Sequence, residues 1–329
     1  MDWRYIKIGI FLLAIVFFIV GLGAITGAYE ILSQTNLSYF TLAVLLYLGS
    51  IFVWIFSWIY ILKLEVPHVS NKGLLGIGFG SVCGAITPLQ IGSDAMRVLF
   101  ARQFYKINAK KTLGACLFAK GLKFGVLAAF SILVLVWLLF TTTLSIFAIM
   151  SLVFGFLVII LAVLFFLGPA ERSVGNKLAR FFNFLSRRIR RLAWLRDFFN
   201  EYSMTFSRIT SLDFFFVFIL TLISWFAEFF AIVLSFMSVG IELPLISFFV
   251  LVIVIGILEK VPIVPRGIGL VEFAGYILLA SPILIGTTIG LAQIGAALVI
   301  FDIVRLFIPS ALSFFYAIFF MEKLGKQGI

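Results

Sequence analysis

The stretch of sequence that decides the fold is VPIVPRGIGLVE, which runs from Val261 to Glu272 inside a long apolar region. It contains four residues that interrupt a helix: Pro262, Pro265, Gly267 and Gly269. Proline lacks a backbone N–H and glycine adds backbone entropy, so a regular helix does not continue through this stretch. Backbone groups released at membrane depth must be covered by protein or by a wet cavity. The break therefore predicts a binding site of the kind found in transporters with discontinuous helices.

A second stretch, GAITPLQIGSDAMR, repeats this pattern upstream and ends at Arg97. Pro88 precedes Gly92 by four residues, which is the spacing between the second proline and the second glycine of the first stretch. Each break has an acid and an arginine beside it: Asp94 and Arg97 in this stretch, and Glu272 and Arg266 in the first. Broken apolar segments at corresponding places in two halves of a chain indicate a transporter site.

The composition places the whole chain in a membrane. Of its 329 residues, 63% are hydrophobic and 12% are charged, and the mean hydropathy is +1.22. Long uninterrupted apolar runs favour an all-α polytopic membrane protein over a barrel, whose strands would alternate apolar and polar residues. The net charge of +11 lies mostly in loops, which favours membrane topology and anionic lipid over nucleic acid as its explanation. With one histidine and two cysteines in apolar segments, the sequence predicts no metal site and no cofactor.

The apolar runs predict a single membrane domain, 1–329, with about six spanning helices and two re-entrant helical hairpins. The spanning helices are predicted at 6–28, 39–62, 112–140, 145–167, 212–239 and from 287 onward, with a kink at Pro309. The hairpins are predicted at 73–101 and 244–279. Near the end of the second helix, Trp54, Trp58 and Tyr60 are interpreted as part of an interfacial aromatic belt.

The distribution of Lys and Arg predicts the orientation. The positive-inside rule places both termini and the basic segment 171–210 in the cytoplasm. The first hairpin then enters from the inside and the second from the outside, so that 1–142 and 143–329 form an inverted repeat. The basic segment is interpreted as an amphipathic helix on the membrane surface, with a solvated loop as the alternative.

Ionisable residues at membrane depth are the candidate substrate-binding residues. They are Arg97, Arg266, Asp94, Glu272, Lys120, Lys123, Glu259 and Arg305. Arginines beside helix breaks suit phosphate, because free N–H groups and the positive dipole end lie next to a forked donor. Asp94 and Arg97 lie three residues apart, as do Asp302 and Arg305, which puts each pair on one helix face. Three alternatives stay open. Asp302 and Arg305 could form only an internal ion pair, and Lys120 and Lys123 could reach lipid headgroups. Asp94 and Glu272 could orient the arginines, bind an amine or carry a coupling proton.

At its two broken stretches the chain resembles the membrane region of the lysylphosphatidylglycerol synthetase family, which includes the flippase-like half of the multiple peptide resistance factor. The first stretch is similar to the family's Pro, Gly, acid, Arg segment, and the second to its Pro-rich Gly-x-Gly-x-x-Glu segment. Arg266 departs from the small residue expected beside Gly267. The resemblance implies a lipid transporter or flippase that moves an anionic, aminoacylated or polyprenyl-linked lipid between leaflets. It also implies the plasma membrane of a bacterium or archaeon as the location. The catalytic domain that the family uses for aminoacyl transfer is not found before Ile329, so we expect the transport part alone.

Two other functions remain open at this point. The chain could be the membrane-embedded partner of a separate lipid synthase or glycosyltransferase, or an intramembrane lipid-modifying enzyme. An enzyme would need a nucleophile or a metal set, and the sequence shows neither, so we predict a protein that is not an enzyme. The expected partner is a membrane phospholipid or a polyprenyl-phosphate lipid, and a homo-oligomer is left open.

Overall fold

The computed structural model describes residues 29–87, 90–141, 146–189, 193–207, 209–259, 270–280 and 289–319. Within these residues the chain is helical and contains no strand. The helices are α1 (Tyr29–Ser33), α2 (Leu37–Lys63), α3 (Asn71–Gly80), α4 (Ile91–Tyr105), α5 (Ala109–Thr141), α6 (Ile146–Leu167), α7 (Arg172–Ser186), α8 (Ala193–Phe206), α9 (Ser211–Met237), α10 (Leu245–Leu258), α11 (Leu270–Ala280), α12 (Leu291–Asp302) and α13 (Ile308–Phe319). The prediction of an all-α polytopic membrane protein is confirmed.

Five helical stretches among the described residues are long and apolar enough to cross a membrane. They are Leu37–Lys63, Ala109–Phe140, Val153–Ala170, Ser211–Met237 and Leu291–Phe319. These correspond to five of the six predicted spanning helices, and the sixth, predicted at 6–28, lies outside the described residues. The inverted repeat and the orientation in the membrane stay predictions.

The first predicted break lies between α3 and α4. A short 3-10 turn, Val82–Ile86, follows α3, and the chain then turns at Thr87. The Thr87 hydroxyl accepts a hydrogen bond from the Gly92 N–H at 2.6 Å and donates one to the Gly84 carbonyl at 2.9 Å. A Cβ added at Gly84 would lie 2.6 Å from the carbonyl carbon of Gly92, so the two backbones approach as closely as glycine allows. Pro88 lies outside the described residues.

The second predicted break lies between α10 and α11, which pack against each other. α10 ends at Leu258 and α11 begins at Leu270, so both helices stop at the edges of the predicted break. Four predicted break residues and one predicted ligand lie outside the described residues: Pro262, Pro265, Gly267, Gly269 and Arg266. Whether the two hairpins re-enter or span stays a prediction.

The last spanning helix contains an irregular turn. The π-turn Ile303–Phe307 joins α12 to α13, and the Ile308 N–H donates to the Ile303 carbonyl five residues back. Pro309 follows directly, and because it has no N–H it cannot continue the regular ladder. The irregularity predicted at Pro309 therefore lies one turn upstream of it, as a widened turn.

The basic segment differs from its prediction as one amphipathic helix. It forms two helices, α7 and α8, which pack together as a helical hairpin. The Phe182 ring stacks on the Phe199 ring with centroids 5.3 Å apart. The Tyr202 hydroxyl donates to the Phe166 carbonyl at 2.6 Å, which ties α8 to the end of α6. Part of the apolar face expected to lie on the membrane is thus used to join two helices.

The chain groups into two compact units. The first unit comprises Met1–Phe52, Phe79–Ser93 and Phe226–Ile329, and the second comprises Val53–Gly78 and Asp94–Trp225. In the first unit, α11 packs on α12, where Leu298 lies against Gly275. In the second, α5 packs on α6 and on α8. The division into an inverted repeat near residue 142 stays a prediction, because compactness does not measure internal symmetry.

Candidate functional site: two buried charge clusters

The first unit buries a group of four ionisable residues that we call the acidic cluster: Glu259, Glu272, Asp302 and Arg305. Three of its members stand at helix ends. Glu259 follows the last residue of α10, Glu272 lies in the first turn of α11, and Asp302 is the last residue of α12. Arg305 lies in the π-turn. Such single wide turns occur often at functional sites, because they reorient a side chain without ending the helix.

Arg305 is the centre of the acidic cluster. Its Nε donates to Asp302 Oδ1 at 2.8 Å. One terminal nitrogen donates to Glu259 Oε1 at 2.7 Å and the other to Glu272 Oε1 at 2.9 Å. The guanidinium carbon lies 4.4 Å from the centroid of the Phe301 ring, and the side chain is only 1% exposed. A planar guanidinium has five N–H donors in a fixed geometry, so it can donate to three carboxylates at once.

The acidic cluster connects the two sides of the second break. Glu259 precedes the stretch 260–269 and Glu272 follows it, and both carboxylates bind the same guanidinium. The ion pair of Asp302 with Arg305, one alternative from the sequence, is present and is extended by these two glutamates. Arg305 thereby fixes the end of α10 relative to the start of α11.

The second unit contains a second group of side chains, the basic cluster, in which two lysines are half-buried and the other members are buried. Its members are Asp94 and Arg97 on α4, Lys120 and Lys123 on α5, and Trp54 and Trp58 on α2. The Lys120 amine donates to Asp94 Oδ2, and the two side chains are 12% and 6% exposed. The Arg97 side chain is completely buried. These charges come from two helices and meet because the helices pack in the same unit.

Two tryptophan rings pack against cations of the basic cluster. The Arg97 guanidinium carbon lies 4.3 Å from the Trp54 ring centroid and 5.1 Å from that of Trp58. The Lys123 amine lies 5.9 Å from the Trp54 centroid. The electron-rich faces of indole rings attract cations, most strongly where water is excluded. The two indole rings thus help to keep the buried Arg97 guanidinium charged.

The structure changes three details of the sequence-based interpretation. Asp94 pairs with Lys120 on the neighbouring helix, whereas the three-residue spacing had suggested Arg97 on its own helix. Lys120 lies inside the cluster rather than at an exposed helix end. Trp54 and Trp58 are 9% and 0% exposed, so their interpretation as an interfacial belt is wrong. Their four-residue spacing, which puts both on one helix face, was the available sign of this shared role.

Among the described residues, no group of His, Cys, Asp or Glu side chains is arranged to hold a metal ion. The two described cysteines, Cys83 and Cys116, are free thiols. The described side chains of both clusters therefore offer hydrogen bonds and charge as their chemistry.

Comparison with protein families decides the relationship of the chain. The family model described as the lysylphosphatidylglycerol synthase TM region matches residues 5–313. The chain belongs to this family. The match includes both broken stretches and both charge clusters, and it confirms the resemblance seen in the two motifs. Membership in the lysylphosphatidylglycerol synthase TM region family fits a lipid-related role in a membrane. Comparisons with curated proteins and with solved structures give no match.

Proposed function

We propose that the chain is a transporter that moves a phosphate-bearing lipid between the leaflets of a membrane, and that the basic cluster binds the lipid phosphate. The observation that carries this proposal is that Arg97 and Lys123 both lie over the buried Trp54 ring in the second unit. Lys120, one turn before Lys123 on α5, adds a third cation to this group. Family membership supports the lipid as the substrate class. The family also makes aminoacylated phospholipid and polyprenyl-linked lipid the first substrates to test.

Charge favours an anionic ligand at the basic cluster. The side chains that the second unit brings together there carry three positive charges, on Arg97, Lys120 and Lys123, and one negative charge, on Asp94. A lipid phosphate brings negative charge and several acceptor oxygens, and the arginine fork binds such oxygens through two parallel hydrogen bonds.

The two lysines have different roles in this proposal. Lys120 is already paired with Asp94, so a ligand that approaches it competes with an internal carboxylate. Such competition allows binding to be reversible, which a transporter needs because a site that holds its substrate too tightly cannot release it. Lys123 adds a second ammonium on the same face of α5, three residues further along. Arg266, predicted to be the second phosphate ligand, remains a prediction.

Native mass spectrometry of gently purified protein, followed by identification of the retained lipid, is the first test. We expect a phosphate-bearing lipid on the wild type, and at least tenfold less of it on Arg97→Gln and on Lys120→Gln. Lys72→Gln is the matched control, because Lys72 is an exposed lysine of the same unit. Equal retention by all four proteins would show that the cluster is not the binding site.

A transport assay then separates binding from movement. The identified lipid, carrying a fluorescent label, is placed in phosphatidylcholine vesicles with the reconstituted protein, and a membrane-impermeant quencher reports the fraction in the outer leaflet over time. We expect flipping with the wild type and with Lys72→Gln, and none with Arg97→Gln. Lipid retention without flipping by the wild type would contradict transport and favour the role of a partner for a separate synthase.

A further inference from the structure

The acidic cluster has one oxygen for which the described residues supply no hydrogen-bond donor. Arg305 donates to one oxygen on each of the three carboxyl groups. Asp302 is only 1% exposed, and its buried Oδ2 accepts a hydrogen bond from no donor among the described residues. The Asp302 and Glu272 carboxyl groups contact the same terminal nitrogen of Arg305, Asp302 Oδ1 at 2.7 Å and Glu272 Oε1 at 2.9 Å. The carboxyl groups of α11 and α12 therefore lie side by side against one donor.

Two ionised carboxylates cannot form a hydrogen bond, because both only accept. A single proton on one of the two groups turns that group into a donor from which the other can accept. The surroundings favour the same outcome, since like charges that share a buried site do not both stay ionised.

We propose that the acidic cluster is a proton-binding site, with one proton shared by Asp302 and Glu272. The charged and titratable groups around the pair are Glu259 after α10, Arg305 in the π-turn and Tyr276 one turn along α11. Lys260 and Arg266 belong to the stretch between α10 and α11, outside the described residues, and the experiment below includes them.

The position of this site suggests what the proton does, and this step rests on the proposed transport function. Glu259 and Glu272 bracket the second break, and Arg305 holds both. Loss of the proton adds a negative charge beside Arg305 and removes the bond between Asp302 and Glu272. The hydrogen bonds that fix α10 and α11 to the π-turn must then redistribute. Loading and release of the proton would thus shift the end of α10 relative to the start of α11, and lipid movement would be coupled to a proton.

Infrared spectroscopy tests the proton without reference to transport. A protonated carboxylic acid has a carbonyl stretch separate from that of carboxylates, and the band shifts in D2O. At neutral pH we expect this band in the wild type and its loss in Asp302→Asn and in Glu272→Gln, which keep the side-chain shape. Glu242→Gln, at an exposed acid of the same unit, should keep the band. Lys260→Gln and Arg266→Gln should also keep it. Absence of the band from the wild type would overturn the proposal.

Transport driven by a pH difference tests the coupling. In vesicles of phosphatidylcholine with the membrane potential held at zero, exchange of one proton per lipid would shift the leaflet ratio of the labelled lipid about tenfold per pH unit. The shift should vanish in Asp302→Asn. Flipping that ignores the pH difference, with the infrared band present, would overturn the coupling. An infrared band in a wild type that flips no lipid would refute the proposed function and leave the proton site standing.

Discussion

Replacement of Arg305 by methionine tests whether the guanidinium holds the first unit together. Methionine fills a similar volume but leaves three buried carboxyl groups without their common donor. Each hydrogen bond to a charged group contributes about 1.5–3 kcal/mol, so three bonds set an upper limit of roughly 5–9 kcal/mol. The stranded carboxyl groups can take up protons, which lowers the cost. We therefore expect a loss of about 3–5 kcal/mol, the range for breaking a buried ion pair from one side.

Reversible unfolding in mixed detergent micelles at neutral pH measures this loss as a change in the free energy of unfolding. Arg102→Met is the control, because Arg102 is exposed on α4 and its replacement should change stability by less than about 0.5 kcal/mol. The double variant Arg305→Met/Glu272→Gln carries one stranded acid fewer, so it should be more stable than Arg305→Met alone. A loss of less than about 1 kcal/mol in the free energy of unfolding of Arg305→Met would contradict this role of the guanidinium. A double variant that is less stable than Arg305→Met alone would contradict it as well.

Two further substitutions test other parts of the structure. Gly84→Ala should lower the stability by about 1–3 kcal/mol, because its Cβ would lie 2.6 Å from the Gly92 carbonyl carbon. Gly49→Ala is the control and should not change the stability, because its Cβ would have nothing within 4 Å. Equal thermal melts of the two variants would contradict this expectation. Tyr202→Phe should cost about 1 kcal/mol through the lost bond to the Phe166 carbonyl. Because burial raises the pKa of Tyr202, this contribution should be constant below about pH 10 and decline above it, which a series of melts at rising pH would show or refute.

The positions of the helices and the places where they break could be predicted from the sequence. Apolar runs long enough to cross a membrane predicted five spanning stretches that the structure contains. Proline and glycine predicted the break after α10. Glu259 and Glu272 became candidate site residues because they are charged and lie beside that break. These inferences succeed because helix formation and helix interruption depend on residues close together in the chain.

The partners of the charged residues could not be predicted in the same way. Spacing along one helix suggested Asp94 with Arg97, yet the carboxylate binds Lys120 on another helix. The two tryptophans under Arg97 were assigned to the membrane interface, because aromatic residues near a helix end are common there. Contacts between helices depend on which faces pack together, and neither charge nor hydropathy along a single helix contains that information.

The π-turn at Ile303–Phe307 also has a consequence for how sequences related to this one are aligned. A wide turn accommodates one residue more than a regular helix of the same rise, and each residue of an α-helix advances the side-chain direction by about 100°. Residues of α13 are therefore out of phase with those of α12, although the two form one continuous rod. A relative with one residue fewer between these helices would keep the same faces toward its core if it had a regular helix there. A gap at this point in an alignment would then mark the loss of a turn geometry rather than the shortening of a loop.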